Sequence, residues 1–295
     1  MRNTWRRAVA TTMAVAALIV AVPAPVTAAA TTVRVLLYTG TQWPHPATEE
    51  AISFIEMTGR RHGFEVTTTG AASEFTVPRL AGYDVVMWLH NQGDTLNAEQ
   101  RGAFEDWYRA GGGFVGVHAA AYAEPDWAYF DELLGARPRA GERDEPSAKT
   151  ITVNVEHQST RDMPAEWTEQ EDQWYRFDRD PAENTGTEIL ATVAAETGDA
   201  RRPVAWCRDF DGGRTWYTAL GHRVKSFEDG DYMRMLRGGV WWAAGLDAEP
   251  LVQDRDAAPA WPYPLSFLVW IAAVAVGGSL AVMRLNRREA SAGAA

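Results

Sequence analysis

Short, continuous apolar runs alternate with stretches of helical period through the first half of this chain. VRVLLYTG (33–40), FEVTTT (64–69), YDVVMWLHN (83–91) and GFVGVHAA (113–120) read as strands. Between them, HPATEEAISFIEMTGRRHG (45–63) offers Ile52, Phe54 and Ile55 to a core and ends on Gly63. NAEQRGAFEDWYRAGGG (97–113) starts with Asn97 as N-cap and Gln100 three residues on, carries an apolar stripe of Phe104, Trp107 and Tyr108, and stops at glycine. PDWAYFDELLG (125–135) predicts a further helix. Continuous strands alternating with helices predict an α/β fold with a largely parallel sheet and helices on both faces.

The second half changes character. KTITVNVEH (149–157), TEILATVAAE (187–196), PVAWCRDF (203–210) and RTWYTALGH (214–222) read as strands, and the turn DGGR at 211–214 predicts a hairpin between the last two. DGDYMRMLRGGVWWAAG (229–245) predicts a closing helix, with Trp241 and Trp242 packed on the sheet.

The ends follow different rules. Residues 1–28 join Arg2, Arg6 and Arg7 to an apolar region and a small-residue VTAAA site, the pattern of a signal peptide cleaved near Ala28. LSFLVWIAAVAVGGSLAVM (265–283) carries no charge and as a helix extends roughly 28 Å, enough for one membrane span. Arg284, Arg287 and Arg288 follow it, which predicts an outside domain (33–246), a Pro- and Ala-rich linker (247–264), a transmembrane helix (265–283) and a cytoplasmic tail (284–295). The expected location is therefore the cell membrane, single-pass, with the domain extracellular.

A formal net charge of -11 argues against nucleic acid or an anionic membrane surface as a partner. The lone Cys207 excludes an internal disulfide and reads as a small buried residue.

In open α/β sheets, ligands bind beyond the carboxyl ends of the strands. That rule gathers His45 after the first strand, His90 and Asn91 after the third, His118 after the fourth, and His222 after the last, four of the six histidines in the chain. An imidazole exchanges protons near neutral pH and, when neutral, ligates transition metals. His118 and His222 are the expected proton-transfer pair, with Asp172 orienting one of them. His118, His222, His45 and Asp172 are the candidate ligands if a metal is held, although no HxxxH-like spacing points to one. Trp43, Trp127, Trp174 and Tyr175 lie near loops expected around the pocket and offer aromatic faces to a sugar. The sequence assigns no cofactor and no oligomeric state.

GGGFVGVHAAAYAEPDWAYFDELLG (111–135) and PVAWCRDFDGGRTWYTALGHRVKSFEDGDYMRMLRGGVWWAAG (203–245) resemble the ThuA-like, or trehalose-utilisation-like, family. The likeness spans about residues 33–246. It implies the flavodoxin-like fold of class I glutamine amidotransferases, with His118 at the elbow where those enzymes carry cysteine and His222 near their catalytic histidine. An imidazole is a poor acyl-transfer nucleophile, so amidotransferase chemistry is not expected. The likeness also implies a link to sugar metabolism, and hence a small saccharide or glycoside as ligand.

Three departures bear on catalysis. Relatives commonly read DEWY where this chain reads EDQWY, which aligns Asp172 with the first acid and puts Gln173 at the second. A His-Pro pair is here Arg202-Pro203, and a histidine usual after LLGA has no counterpart in RPRAGERDEP. HQST at 157–160 keeps a family-like histidine, expected to cap its loop. The expectation is a saccharide-recognising pocket of reduced catalytic competence, with a sugar- or glycoside-modifying enzyme as the alternative. Its substrate-binding residues are His45, His90, Asn91, Trp174, Tyr175 and Arg202.

Overall fold

The computed structural model describes residues 32–195 and 201–246. The predicted signal peptide, linker, transmembrane helix and cytoplasmic tail lie outside the described residues. Among the described residues, no helix is long and apolar enough to cross a membrane.

The elements in chain order are β1 (Val33–Tyr38), α1 (Thr48–His62), β2 (Phe64–Thr69), α2 (Val77–Leu80), β3 (Val85–Leu89), β4 (Gln92–Gly93), α3 (Ala98–Arg109), β5 (Gly113–Val117), β6 (Tyr122–Ala123) and α4 (Ala128–Leu134). The second half adds β7 (Pro138–Val153), β8 (Glu166–Phe177), β9 (Thr187–Ala194), β10 (Arg201–Phe210), β11 (Gly213–Thr218), α5 (Val224–Glu228) and α6 (Gly230–Ala243). One sheet runs β2-β1-β3-β5-β11-β10-β9-β7-β8, and β4 pairs with β6 apart from it.

The expected sheet was largely parallel, and the structure corrects this: β2, β1, β3, β5 and β11 are parallel, whereas β11, β10, β9, β7 and β8 pair antiparallel. The cause is local. Helices link the early strands and leave only parallel pairing, while a two-residue turn joins β10 to β11. Asp211 and Gly212, at φ 42° and 94°, form the β10–β11 turn, and two successive left-handed residues suit the twist of a hairpin.

β3 and β5 are buried along their whole length, as strands covered on both faces must be. One core sets Val35, Leu37, Met87 and Val115 against Ile55 of α1 and Met235, Val240 and Trp241 of α6. The other sets Leu36, Trp88 and Phe114 against Phe104 of α3 and Phe130 of α4. The ends of these helices follow the sequence: Asn97 and Gln100 form a reciprocal capping box on α3, and Gly63 takes the left-handed conformation that closes α1.

Candidate functional site

Strand register builds the site. Val117 ends β5 opposite Leu89 of β3 on one side and Thr218 of β11 on the other. The next residues along, His90, His118 and Ala219, therefore stand side by side at the carboxyl edge. His90 and His118 both have positive φ, 61° and 52°, in a region that non-glycine residues enter at a cost of order 1 kcal/mol or more. At His118 three bonds hold that conformation. Its Nδ1–H donates to Ala219 O (2.7 Å), its Nε2 accepts from the Tyr175 hydroxyl (2.8 Å), and its carbonyl accepts from the Tyr217 hydroxyl (2.9 Å). The ring also stacks on Tyr175 with centroids 4.8 Å apart.

Around this corner the other imidazoles close in. His222 Nδ1 lies 3.2 Å from His118 Nε2 and 3.1 Å from His45 Nε2. His45 stacks obliquely on His90, centroids 4.0 Å apart. Burial, reinforced by the neighbouring imidazoles, pushes His118 well below the usual range and His90 down to about 3. Burial, with His222 and Arg223 nearby, brings His45 down to about 4. These three rings are thus neutral at physiological pH.

His90 is spent on the frame. Its Nε2–H donates to Gly221 O (2.9 Å), so its Nδ1 accepts from the Thr48 hydroxyl at the start of α1 (2.9 Å). Asn91, fully buried, donates to Gly40 O and pins the loop that leads to His45. Both residues therefore position the site from below.

Asp172 holds the other wall. Its carboxylate accepts from the backbone N–H of Gly221 (2.7 Å), His222 (3.2 Å) and Gln173 (2.7 Å) and from the Ser226 hydroxyl (3.2 Å). Burial pushes its pKa up to about 6, and these hydrogen bonds pull it back. Glu171, at φ 63°, bends β8 just before it. Gly221 is required here: its φ is 105°, and a Cβ would meet the Tyr232 hydroxyl at 2.7 Å.

The remaining expected residues divide. Trp174 and Tyr175 lie on strand β8 rather than on a loop, so they face opposite sides of the sheet. Tyr175 joins His118, whereas Trp174 is buried in the α1–α6 core and donates from its indole to Ser147 O. Trp127 packs in the other core on Phe130. Trp43, two residues before His45, is 58% exposed. Arg202 reaches Asp144 of β7 (2.6 Å) and makes no bond to the histidines. The three nitrogens of His45, His118 and His222 lie within 4.8 Å of one another, a spacing that suits a metal ion; Asp172 is not in that set. A cavity of about 270 Å³ elsewhere, lined by Gln158, Arg161, Arg234 and Trp241 among others, shares none of these residues.

Thr48, Gly221, Ser226 and Glu124 were not expected in the site or its frame. Glu124, fully buried, accepts from Thr95 N, Leu96 N and the Arg101 guanidinium and ties the loop after β4 to β6. Only Gly221, beside His222 in LGH, carried a readable signal, because a glycine next to a candidate residue marks a close backbone approach.

A family model described as trehalose utilisation matches residues 34–243. No curated protein matches the chain. A solved structure described as ThuA-like, from Bacteroides uniformis, aligns with TM-score 0.62 and 24% identity over 75% of this chain and 95% of its own. Another so described, from Parabacteroides merdae, aligns with TM-score 0.63 and 19% identity over 76% and 94%. A β-galactosidase from Bacillus circulans aligns with TM-score 0.50 and 13% identity over 74% of this chain but only 32% of its own. At these identities the solved structures share the fold.

Proposed function

This chain belongs to the trehalose-utilisation (ThuA) family, and on that premise we propose that its domain is an enzyme acting on a sugar or glycoside at the histidine cluster. The observation that carries the reading is the convergence of His45, His118 and His222 with the Tyr175 hydroxyl at one sheet edge. Neutral imidazoles take a proton from a sugar hydroxyl or from carbon beside a carbonyl, or they hold a metal that polarises an oxygen. Trp43, exposed beside this cluster in sequence, offers an aromatic face for a sugar ring.

Reduced catalytic competence was expected from Gln173 and Arg202. Arg202 is engaged by Asp144, and Asp172 alone meets all four donors of its loop. All three imidazoles of the cluster are present and in reach of one another, and this favours the enzyme over a pocket that only binds.

The test is turnover. Full-length protein incubated with a panel of glycosides and oxidised sugars should yield product by mass spectrometry, and His118→Ala should lower the rate by about 10²-fold or more. Trp43→Ala should raise KM with kcat nearly unchanged. A His118→Ala variant as active as the parent overturns the reading.

The same proposal includes export and anchoring, supported by residues 1–28 and the uncharged segment 265–283. Protease added to intact cells should remove the domain and spare an epitope placed on the C-terminal tail. A protected domain overturns the topology.

A further inference from the structure

The protons at the centre of the cluster do not balance. Ala219 O requires a proton on His118 Nδ1, so the neutral ring presents a bare Nε2, which the Tyr175 hydroxyl already addresses. His45 Nδ1 faces the Ala47 N–H at 3.3 Å, which leaves the proton on His45 Nε2, donating to His222 Nδ1 at 3.1 Å. His222 Nδ1 is then bare and faces the bare His118 Nε2 at 3.2 Å. Moving the His222 proton to Nδ1 removes that clash and creates another, because His45 must then surrender its Nε2 proton and turn an N–H toward Ala47 N–H. Every neutral arrangement leaves two lone pairs or two protons in opposition.

A cation shared by the three nitrogens resolves the opposition at their meeting point. We infer that His45 Nε2, His118 Nε2 and His222 Nδ1 hold one first-row divalent metal ion, of the class that imidazole selects, with a coordination position open to a sugar oxygen. Tetrahedral zinc with bonds of about 2.0–2.1 Å sets its nitrogen ligands roughly 3.3–3.4 Å apart. The 3.1 and 3.2 Å separations here are already near that spacing. Three histidines with a fourth position free is a ligand count of catalytic rather than structural zinc. The Nδ1–H of His118 on Ala219 O is the outer contact that fixes a ligating ring and its tautomer. Loading the site moves the His45 proton to Nδ1 and gives up the Ala47 contact, the longest of the set at 3.3 Å. The open position next to the Tyr175 hydroxyl is where this inference rests on the proposed function, since it names the oxygen that the metal would polarise.

The experiment is metal binding, read without substrate. Full-length protein, stripped with a chelator and repurified, is titrated with Zn²⁺ by calorimetry and with Co²⁺ by visible absorption. One equivalent should bind, Co²⁺ should give the spectrum of a nitrogen-ligated ion, and Zn²⁺ should raise the thermal midpoint. His45→Ala and His222→Ala, both on half-exposed loops, should each weaken binding by at least about tenfold while circular dichroism stays native. These variants keep the test decisive if the buried His118→Ala fails to fold. His157→Ala should bind like the parent. A stripped parent that takes up no metal, or binding that His45→Ala and His222→Ala leave unchanged, overturns the site. A chain that binds metal and turns over no glycoside overturns the functional proposal alone.

Discussion

Two histidine clusters in this domain have similar ingredients and opposite logic. Around His157, Nδ1 accepts from the Ser159 N–H (3.1 Å) and hydroxyl (2.9 Å), Ser159 Oγ accepts from the Trp216 indole (3.2 Å), and Nε2–H faces Cys207 Sγ (3.6 Å). The nitrogen donors there each meet an acceptor in a single neutral tautomer. Burial raises the Cys207 thiol pKa far above its usual value, so it stays a thiol. At the carboxyl edge, nitrogens face nitrogens and no tautomer satisfies them all. On spacing alone His157 and Cys207, together with the exposed Glu188, would qualify as metal ligands as well as the edge histidines do. Proton complementarity separates them: the first is a finished structural element, and the second is complete only with something added.

The most damaging change to the edge cluster should fall on Asp172. Asp172→Asn keeps the size but presents an amide N–H₂ to donors that now meet a carboxylate, namely Gly221 N and the Ser226 hydroxyl or Gln173 N and His222 N. A buried unmatched donor costs about 1–3 kcal/mol, so urea unfolding should show a loss of about 2–4 kcal/mol. Turnover should fall with it, because the same loop carries His222 and the carbonyl that holds His90. Parental stability would mean that Asp172 is protonated in the native state and that the loop is held otherwise. Gly221→Ala comes next, with an expected cost of about 1–3 kcal/mol from its positive φ and the approach to Tyr232. Combining it with Tyr232→Phe should recover the part due to the hydroxyl and leave the backbone share with the close contacts to Phe227 and Val117.

What was legible in the sequence follows from how each half of the sheet is buried. β1, β3 and β5 are covered on both faces and show as apolar runs, and the helices between them carry caps and stripes that leave no rival pattern. The strand-end rule then placed His45, His90, His118 and His222 at one edge without any knowledge of contacts. β8 was missed because EWTEQEDQWYRF lies at the sheet edge, where charged residues discourage further pairing and erase the alternation. That omission put Trp174 and Tyr175 on a loop. Strand geometry sends them to opposite faces, and only Tyr175 reaches His118. The roles of Asp172 and Ser226 depend on a contact between residues about 50 positions apart, which no periodicity records.

The smallest expected effect tests the finished cluster, and its sign follows from His157. Burial, then Arg161 and Arg214, push this imidazole down to about 4 from a usual 6.5. The unfolded chain therefore binds a proton that the folded chain refuses across the interval from 6.5 to 4. Its contribution to stability is complete above pH 6.5, falls as pH drops through that interval, and is constant below 4. The full linkage between pH 7.5 and 5 is about 2 kcal/mol, and partial solvent exposure reduces it to about 1 kcal/mol. His157→Asn retains an acceptor for the Ser159 N–H and cannot titrate. Urea unfolding at the two pH values should therefore show the parent losing about 1 kcal/mol more than the variant on acidification. Equal losses would mean that protonated His157 is accommodated as easily as the neutral ring, and the contrast between the two clusters would fail at its simpler end.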